Sequence, residues 1–292
     1  MTKPYDLLIL GHHKPLSEAF LSVEVLTHFA TSAFRRLPHV QVHTHQVCDY
    51  ERVLALPRAD IVLFIAYWFD VEPTDSKWIK RVTEASVTAS LREVLFPVDY
   101  CFTFKPFPEA ENAIYVPLQC DKASLPVSQK TPGTILVDHA WQAFAGTDQD
   151  WTTRIEEWLS EVADRRSISR MVYYKDYPAV LPPFVTPLPP LPYHEYLKAT
   201  AHFERFICTH AECYPHGVID MAARGTQVLA PPGFLPECIV KDLGIPTFSS
   251  KEELLALLSE PVGDEWNRKI DLCTDYGDVA KSMDGQFQEW LA

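Results

Sequence analysis

Two acids eight positions apart, Glu212 and Asp220, bracket the stretch of this sequence in which residue types and spacing speak most directly of chemistry. His216, Gly217 and Val218 lie between them, and the pattern reads as a loop that ends where a helix of small residues begins. A helix start presents unpartnered backbone N–H groups and the positive end of a dipole, which is a place to hold phosphate. An acid in the loop and another on the first turn can converge on a hydroxylated ligand, and a carboxylate that accepts from both hydroxyls of a ribose is familiar in dinucleotide sites. The bland alternative is a helix cap plus an acid well placed for the dipole, worth about 0.5–2 kcal/mol.

The other candidates come after strand-like runs, where open α/β sheets place ligands. His12 and His13 come after an apolar run closed by Gly11, whose missing side chain lets backbone approach closely. Asp70 comes after the apolar run 61–68 and is a candidate base toward an acceptor. His139 comes after the run 134–137, and Gly233 and Glu237 after the run 226–230. The pair His12 and His13 has no third ligand at a diagnostic spacing, and His43 and His45 share one face of a different strand, so no metal site is expected.

Holding these residues requires a frame in which strands and helices alternate. Strands are expected over 6–11, 40–47, 60–68, 99–104 and 113–116, with helices over 16–37 and 76–95. The polar, proline-bearing stretch 121–133 reads as a break, after which the alternation restarts with strands over 134–138, 168–174, 205–209 and 226–230. Helices are expected between them over 151–165, 193–201 and 217–224, and a further one over 251–258. Seven prolines between Pro178 and Pro192 exclude a helix or a central strand there, leaving an extended surface segment. The fold class is therefore α/β, with parallel sheets wrapped on both faces. The domain expectation is 1–118, a linker at 119–133, a second domain at 134–262, and a helical tail at 263–292 packing back toward the N-terminal domain.

A formal charge of −13 disfavours nucleic acid as a partner, since phosphate backbones are repelled. The apolar runs are far shorter than the roughly 20 residues of a membrane span, and the N-terminal run is too short for a secretory signal, so a soluble cytoplasmic protein is expected. Seven scattered cysteines form no C-x-x-C pair and read as free thiols.

The string from Thr209 to Glu237 resembles the retaining GT-B glycosyltransferases of the glycogen-synthase and sucrose-synthase kind, whose signature is an acid, seven residues, an acid, a small-residue helix and G-T-P-V. Met221, Ala222, Ala223, Gly225, Thr226 and Val228 match it, with Asp220 for the second Glu and Gln227 for Pro. Gly233, Pro236 and Glu237 look like the family's G-x-P-E turn, and residues 116–121 like the segment that closes its first domain. The resemblance implies two Rossmann-like domains facing a cleft and a transfer from a nucleotide-diphosphate sugar, a UDP-sugar being one candidate. It implies that Glu212 faces the donor sugar, Asp220 holds the ribose, and Gly217 and Val218 lie beneath the diphosphate. The loop of His12 and His13 then faces the interdomain cleft, where one of the pair would touch the acceptor or the donor phosphate; the acceptor could be a glycan, a lipid-linked sugar or a small molecule. The family's Arg and Lys after the first strand of the second domain are absent from residues 138–146, leaving His139 and His216 to assist the diphosphate without metal or other cofactor. A GT-B-fold binding protein without turnover and a phage-type nucleic-acid-base glycosyltransferase are the alternatives.

Overall fold

A computed structural model describes residues 2–19, 22–46, 59–65, 101–103, 113–115, 118–126, 128–137, 148–171, 182–189, 191–209, 216–235 and 237–292. The chain divides into two compact units, Met1–Val116 with Asp275–Ala292, and Pro117–Thr274.

In the first unit, β1 (Tyr5–Gly11) has a parallel partner on each side, β2 (Val40–Gln46) and β3 (Ile61–Phe64). Leu7, Leu8 and Ile9 are buried, as a strand covered on both faces requires. Helix α1 (Ser22–Phe34) crosses from β1 to β2 and buries Val25, Leu26, Phe29, Ala33 and Phe34 on one stripe. It starts later than the 16–37 periodicity predicts, because Pro15 opens a turn in which Glu18 N–H donates to the Pro15 carbonyl. Strands β4 (Cys101–Thr103) and β5 (Ala113–Tyr115) form a second parallel pair. The expected helix over 76–95 lies outside the described residues.

The second unit opens with β6 (Gln119–Cys120) and β7 (Thr131–Val137), so residues 119–133, read from the sequence as a linker, carry two strand segments. Then come α2 (Asp148–Leu159), which continues as a 3-10 turn over Ser160–Arg165, β8 (Ser167–Met171), β9 (Val185–Leu188) and α3 (Tyr193–Ala199). They are succeeded by β10 (Phe203–Ile207), α4 (His216–Ala223), β11 (Gln227–Leu229), α5 (Glu237–Leu243) and α6 (Lys251–Ser259). A 3-10 helix over Asp264–Leu272, read from the sequence as part of the tail, packs against α4 and leads to β12 (Thr274–Asp275).

Five strands form one parallel sheet in the order β11-β10-β7-β8-β9. The proline-rich stretch supplies its edge strand: Pro187 has no N–H to donate, which an edge tolerates and a centre does not. Ile135, Val137, Ile168, Ile207 and Leu229 face a core shared with Ile155, Leu159, Phe248, Leu254 and Leu258. Buried Arg205 ties sheet to helix: its Nε donates to Gln227, an Nη donates to Glu204, and the other Nη caps the Glu260 carbonyl beyond α6.

The C-terminal helix α7 (Tyr276–Trp290) belongs to the first unit and packs on α1. Phe29 stacks on Tyr276 at 4.7 Å, and Phe34 on Phe287 at 5.9 Å. Asp284 accepts from the Tyr5 hydroxyl at 2.9 Å, and His39 Nε2 lies 2.9 Å from both carboxylate oxygens. Burial, reinforced by Asp284, pushes the Tyr5 hydroxyl well above the usual tyrosine range. Among the described residues no helix is long and apolar enough to cross a membrane.

Asp284→Ala strands a buried hydroxyl and an imidazole at once. A loss of about 2 kcal/mol in urea unfolding is expected, and an unchanged midpoint would show that this cluster does not hold α7.

Candidate functional site

Reading the sheet of the second unit from β9 gives chain order three, two, one, four, five, the doubly wound arrangement. The connection from β7 runs one way and that into β10 the other, so the C-terminal ends of these two neighbours, Val137 and Ile207, flank a topological switch point. Cys208 and Thr209 continue β10 and are fully buried, Cys208 N–H donating to the Leu229 carbonyl at 2.9 Å. The chain re-enters the described residues at His216, where α4 begins. His139, Glu212 and Asp70 lie outside the described residues.

Helix α4 is buried along nearly its whole length: His216, Val218, Ile219, Asp220, Met221, Ala222 and Ala223 are all shielded from solvent. Small residues permit this. An added Cβ at Gly217 would sit 3.4 Å from the Tyr196 hydroxyl, so α3 rests directly on the first turn. Arg224 fastens the other end, donating to the Leu197 carbonyl at 2.6 Å and to Thr200 Oγ1 at 3.1 Å while its guanidinium lies 5.8 Å from the Tyr196 ring centre. Gly225 then turns the chain at φ +81°, where an added Cβ would be 2.9 Å from Asn267 Oδ1, so both conformation and space select glycine.

Asp220 is the unusual member. Its side chain is completely buried, and among the described residues neither carboxylate oxygen has a hydrogen-bond partner. His216 Nε2 is 3.8 Å from Oδ2, beyond a hydrogen bond, and Tyr193 of α3 lies beside the carboxyl. The His216 ring stacks on Tyr193 with centres 5.5 Å apart and planes 12° apart. Burial pushes the Asp220 carboxyl up from the ordinary 3.8, against the opposing pull of His216 and Arg224. A buried carboxyl without donors is unfavourable and clusters at functional positions, whereas a helix cap would have engaged its oxygens with backbone N–H groups. The structure thus places Asp220 inside the second turn of α4, facing α3, and not on an open surface.

Gly233 and Glu237 come after β11, at the same end of the sheet. Gly233 is exposed at φ +79° in a turn closed by Phe234 N–H to the Pro231 carbonyl, and Glu237 is the exposed first residue of α5. The sequence did not flag Lys130, which is held at the opposite end of the sheet by the Ala201 carbonyl at 2.7 Å and Thr226 Oγ1 at 2.8 Å. Burial pushes its ammonium down to about 7, and Arg224 adds to this. Its position before β7 removes it from any role beside α4's first turn.

In the first unit β1 lies between β2 and β3, so Gly11, His12 and His13 emerge at a second switch point. An added Cβ at Gly11 would be 2.5 Å from Thr27 Oγ1, so glycine is needed for α1 to lie against the strand end. His13 Nε2–H donates to the Ile9 carbonyl at 3.0 Å, and Gln46 Nε2 donates to the His13 carbonyl at 2.9 Å, which ties the ends of β1 and β2 together. Burial pushes the His13 ring below its ordinary 6.5, so it stays neutral at neutral pH. Lys14 pairs with Glu24, a buried carboxylate on the first turn of α1. His12 is half-buried. Among the described residues no group of three or more His, Cys, Asp and Glu could hold a metal ion.

No protein-family model matches the sequence, and no curated protein matches it. Solved structures do match in fold. The glycotransferase of kitacinnamycin is 12% identical with a TM-score of 0.54, over 98% of this chain and 100% of that one. WaaG, a glycosyltransferase involved in lipopolysaccharide biosynthesis, is 12% identical with a TM-score of 0.54, over 97% and 99%. The UDP-GlcNAc 2-epimerase of Methanocaldococcus jannaschii, in complex with UDP-GlcNAc and UDP, is 9% identical with a TM-score of 0.54, over 97% and 99%. The chain therefore has the GT-B fold, α/β with Rossmann-like parallel sheets in both units. Its likeness to epimerases is of the same degree, so the fold does not single out the retaining subgroup.

The raised carboxyl has a pH signature. An acid whose folded pKa lies above its unfolded one gives stability that is intact below about pH 4 and lost as pH rises through the folded value. Asp220→Asn mimics the neutral form, so its thermal midpoint at pH 7.5 is expected to equal or exceed that of the native protein, the gap closing toward pH 4. A variant less stable than native at pH 7.5 would mean that the charged carboxylate is paired.

Proposed function

We propose that the chain is a glycosyltransferase that moves a sugar from a nucleotide-diphosphate sugar to an acceptor. The observation that carries this reading is the buried carboxyl of Asp220, without a hydrogen-bond partner among the described residues, on the helix that comes after the β7–β10 switch point. Two adjacent ribose hydroxyls are the donor pair that such a carboxylate lacks. The N–H groups of Gly217 and Val218 at the start of α4 would hold the diphosphate, with His216 as a side-chain donor and His139 after β7 as a second. Glu212 would face the donor sugar, and Gly233 and Glu237 would border it from the end of β11. His12, His13 and Asp70, which come after β1 and β3, would serve the acceptor, one of them as the base that takes its proton.

With no Arg and Lys in residues 138–146, stabilisation of the leaving diphosphate would rest on backbone N–H groups and the helix dipole, preorganised and shielded from water. That chemistry needs no metal. Retention of configuration rests only on the resemblance of residues 209–237 to the retaining GT-B glycosyltransferases. The fold neighbours that carry UDP or UDP-GlcNAc in their structures support UDP as the first nucleotide to try. The net charge of −13 weighs against a nucleic-acid acceptor. The same missing cation pair favours a second reading, a binding protein that holds a nucleotide sugar without turning it over.

A panel of nucleotide sugars with the purified protein separates these readings. Slow release of free nucleoside diphosphate from one donor, and UDP affinity weakened at least tenfold by Asp220→Ala, are the expected results. Donor binding without consumption in the presence of acceptor extracts would favour the binding protein, and UDP affinity unchanged by Asp220→Ala would remove Asp220 from the site.

A further inference from the structure

Cys120 and Cys273 stand about 150 residues apart in sequence, at the places where the chain enters and leaves the second unit. They meet because β6 and β12 pair as a small two-stranded sheet, with Thr274 N–H donating to the Leu118 carbonyl at 2.7 Å. Cys120 ends β6 and is fully buried, and Cys273 immediately precedes β12 and is 4% exposed. Their side chains are in direct contact, and the Cys273 Sγ also lies 3.6 Å from the Lys269 carbonyl at the end of the 3-10 helix. Both thiols are free. Neither is used by the nucleotide site proposed above.

We propose that Cys120 and Cys273 are a reversible dithiol–disulfide pair, a covalent clasp that joins β6 to the strand leaving the second unit. The co-reactant is a low-molecular-weight disulfide of the glutathione class. The Cys273 sulfur attacks it, releasing one thiol and forming a mixed disulfide; the Cys120 sulfur then displaces the second thiol. Two protein thiols are oxidised by two electrons, one small-molecule disulfide is reduced to two thiols, and the protons pass to the leaving thiolates. Cys273 is the fitting first nucleophile because it is the less enclosed of the two, 4% exposed against none of Cys120, so a small disulfide meets its sulfur first and Cys120 acts in the second step. The bond closes a loop that spans nearly the whole second unit, so by chain entropy its effect on the unfolded state falls at the large end of the range for single disulfides.

The test treats the full chain with oxidised glutathione, blocks remaining thiols, and maps non-reduced peptides by mass spectrometry. The expected results are a Cys120–Cys273 cross-linked peptide, a rise of roughly 5–15 °C in thermal midpoint, and return of both on adding dithiothreitol. Cys273→Ala should abolish the cross-link and the rise. The peptide map of the native protein requires no variant, so a poorly folding alanine variant leaves the result readable. Glutathione adducts at either cysteine without the cross-link, a cross-link to any of the other five cysteines in its place, or a cross-link that leaves the midpoint unmoved would overturn the proposal.

Discussion

The pairing of β10 beside β7 governs the second unit. Once Arg205, Phe206 and Ile207 are in register with Ile135, Leu136 and Val137, the helices on either side of the sheet are fixed by chain handedness and the strand ends diverge. The segments that leave the two strands, residues 138–146 and 208–216, thereby start from neighbouring positions at one end of the sheet, although they are about 70 residues apart in sequence. The register decides which side chains enter which face, since a shift by one residue would exchange Val137 and Ile207 for their neighbours Leu136 and Phe206 in the core of Ile155 and Phe248.

That constraint explains how α4 tolerates so unusual a composition. A helix buried on nearly every side ordinarily carries only apolar residues, and α4 does so at Val218, Ile219, Met221, Ala222 and Ala223. Its stability comes from the surroundings: Arg224 clamps it to α3, Gly225 ends it, and the 3-10 helix over Asp264–Leu272 packs along it. A scaffold held this firmly can carry one buried carboxyl that has no hydrogen-bond partner among the described residues without rearranging around it. Rigid support beneath a destabilising group is what a preorganised electrostatic site requires.

Much of this frame could be read from the amino-acid order. The apolar runs that become β1, β7, β10 and β11 are short, bounded by glycine or polar residues, and separated by helical periodicity, so element type and the α/β class come from local pattern. The acid spacing from Glu212 to Asp220 likewise marked the region where α4 begins. Other features depend on partners distant in sequence. Residues 131–133 join β7 because Thr131 pairs with Phe203, which no local property of Thr-Pro-Gly announces. The proline stretch pairs as β9 because an edge position spares the missing N–H. The enclosure of Asp220 depends on Tyr193 and on Arg224 reaching Leu197 and Thr200, and the meeting of Cys120 with Cys273 depends on two strands at opposite ends of a unit. His13, read as a loop residue near a ligand, turns its ring back to the Ile9 carbonyl for a similar reason: β2 lies alongside, and its Gln46 holds the His13 backbone in place.

If the start of α4, with Asp220 inside it, is a nucleotide site, a crystal of the protein soaked with uridine diphosphate will show it. Density for the diphosphate is then expected over the N–H groups of Gly217 and Val218, with the ribose hydroxyls within hydrogen-bond distance of the Asp220 carboxylate. A nucleotide bound elsewhere, or Asp220 still enclosed by Tyr193 and His216 with the diphosphate away from α4, would contradict that assignment.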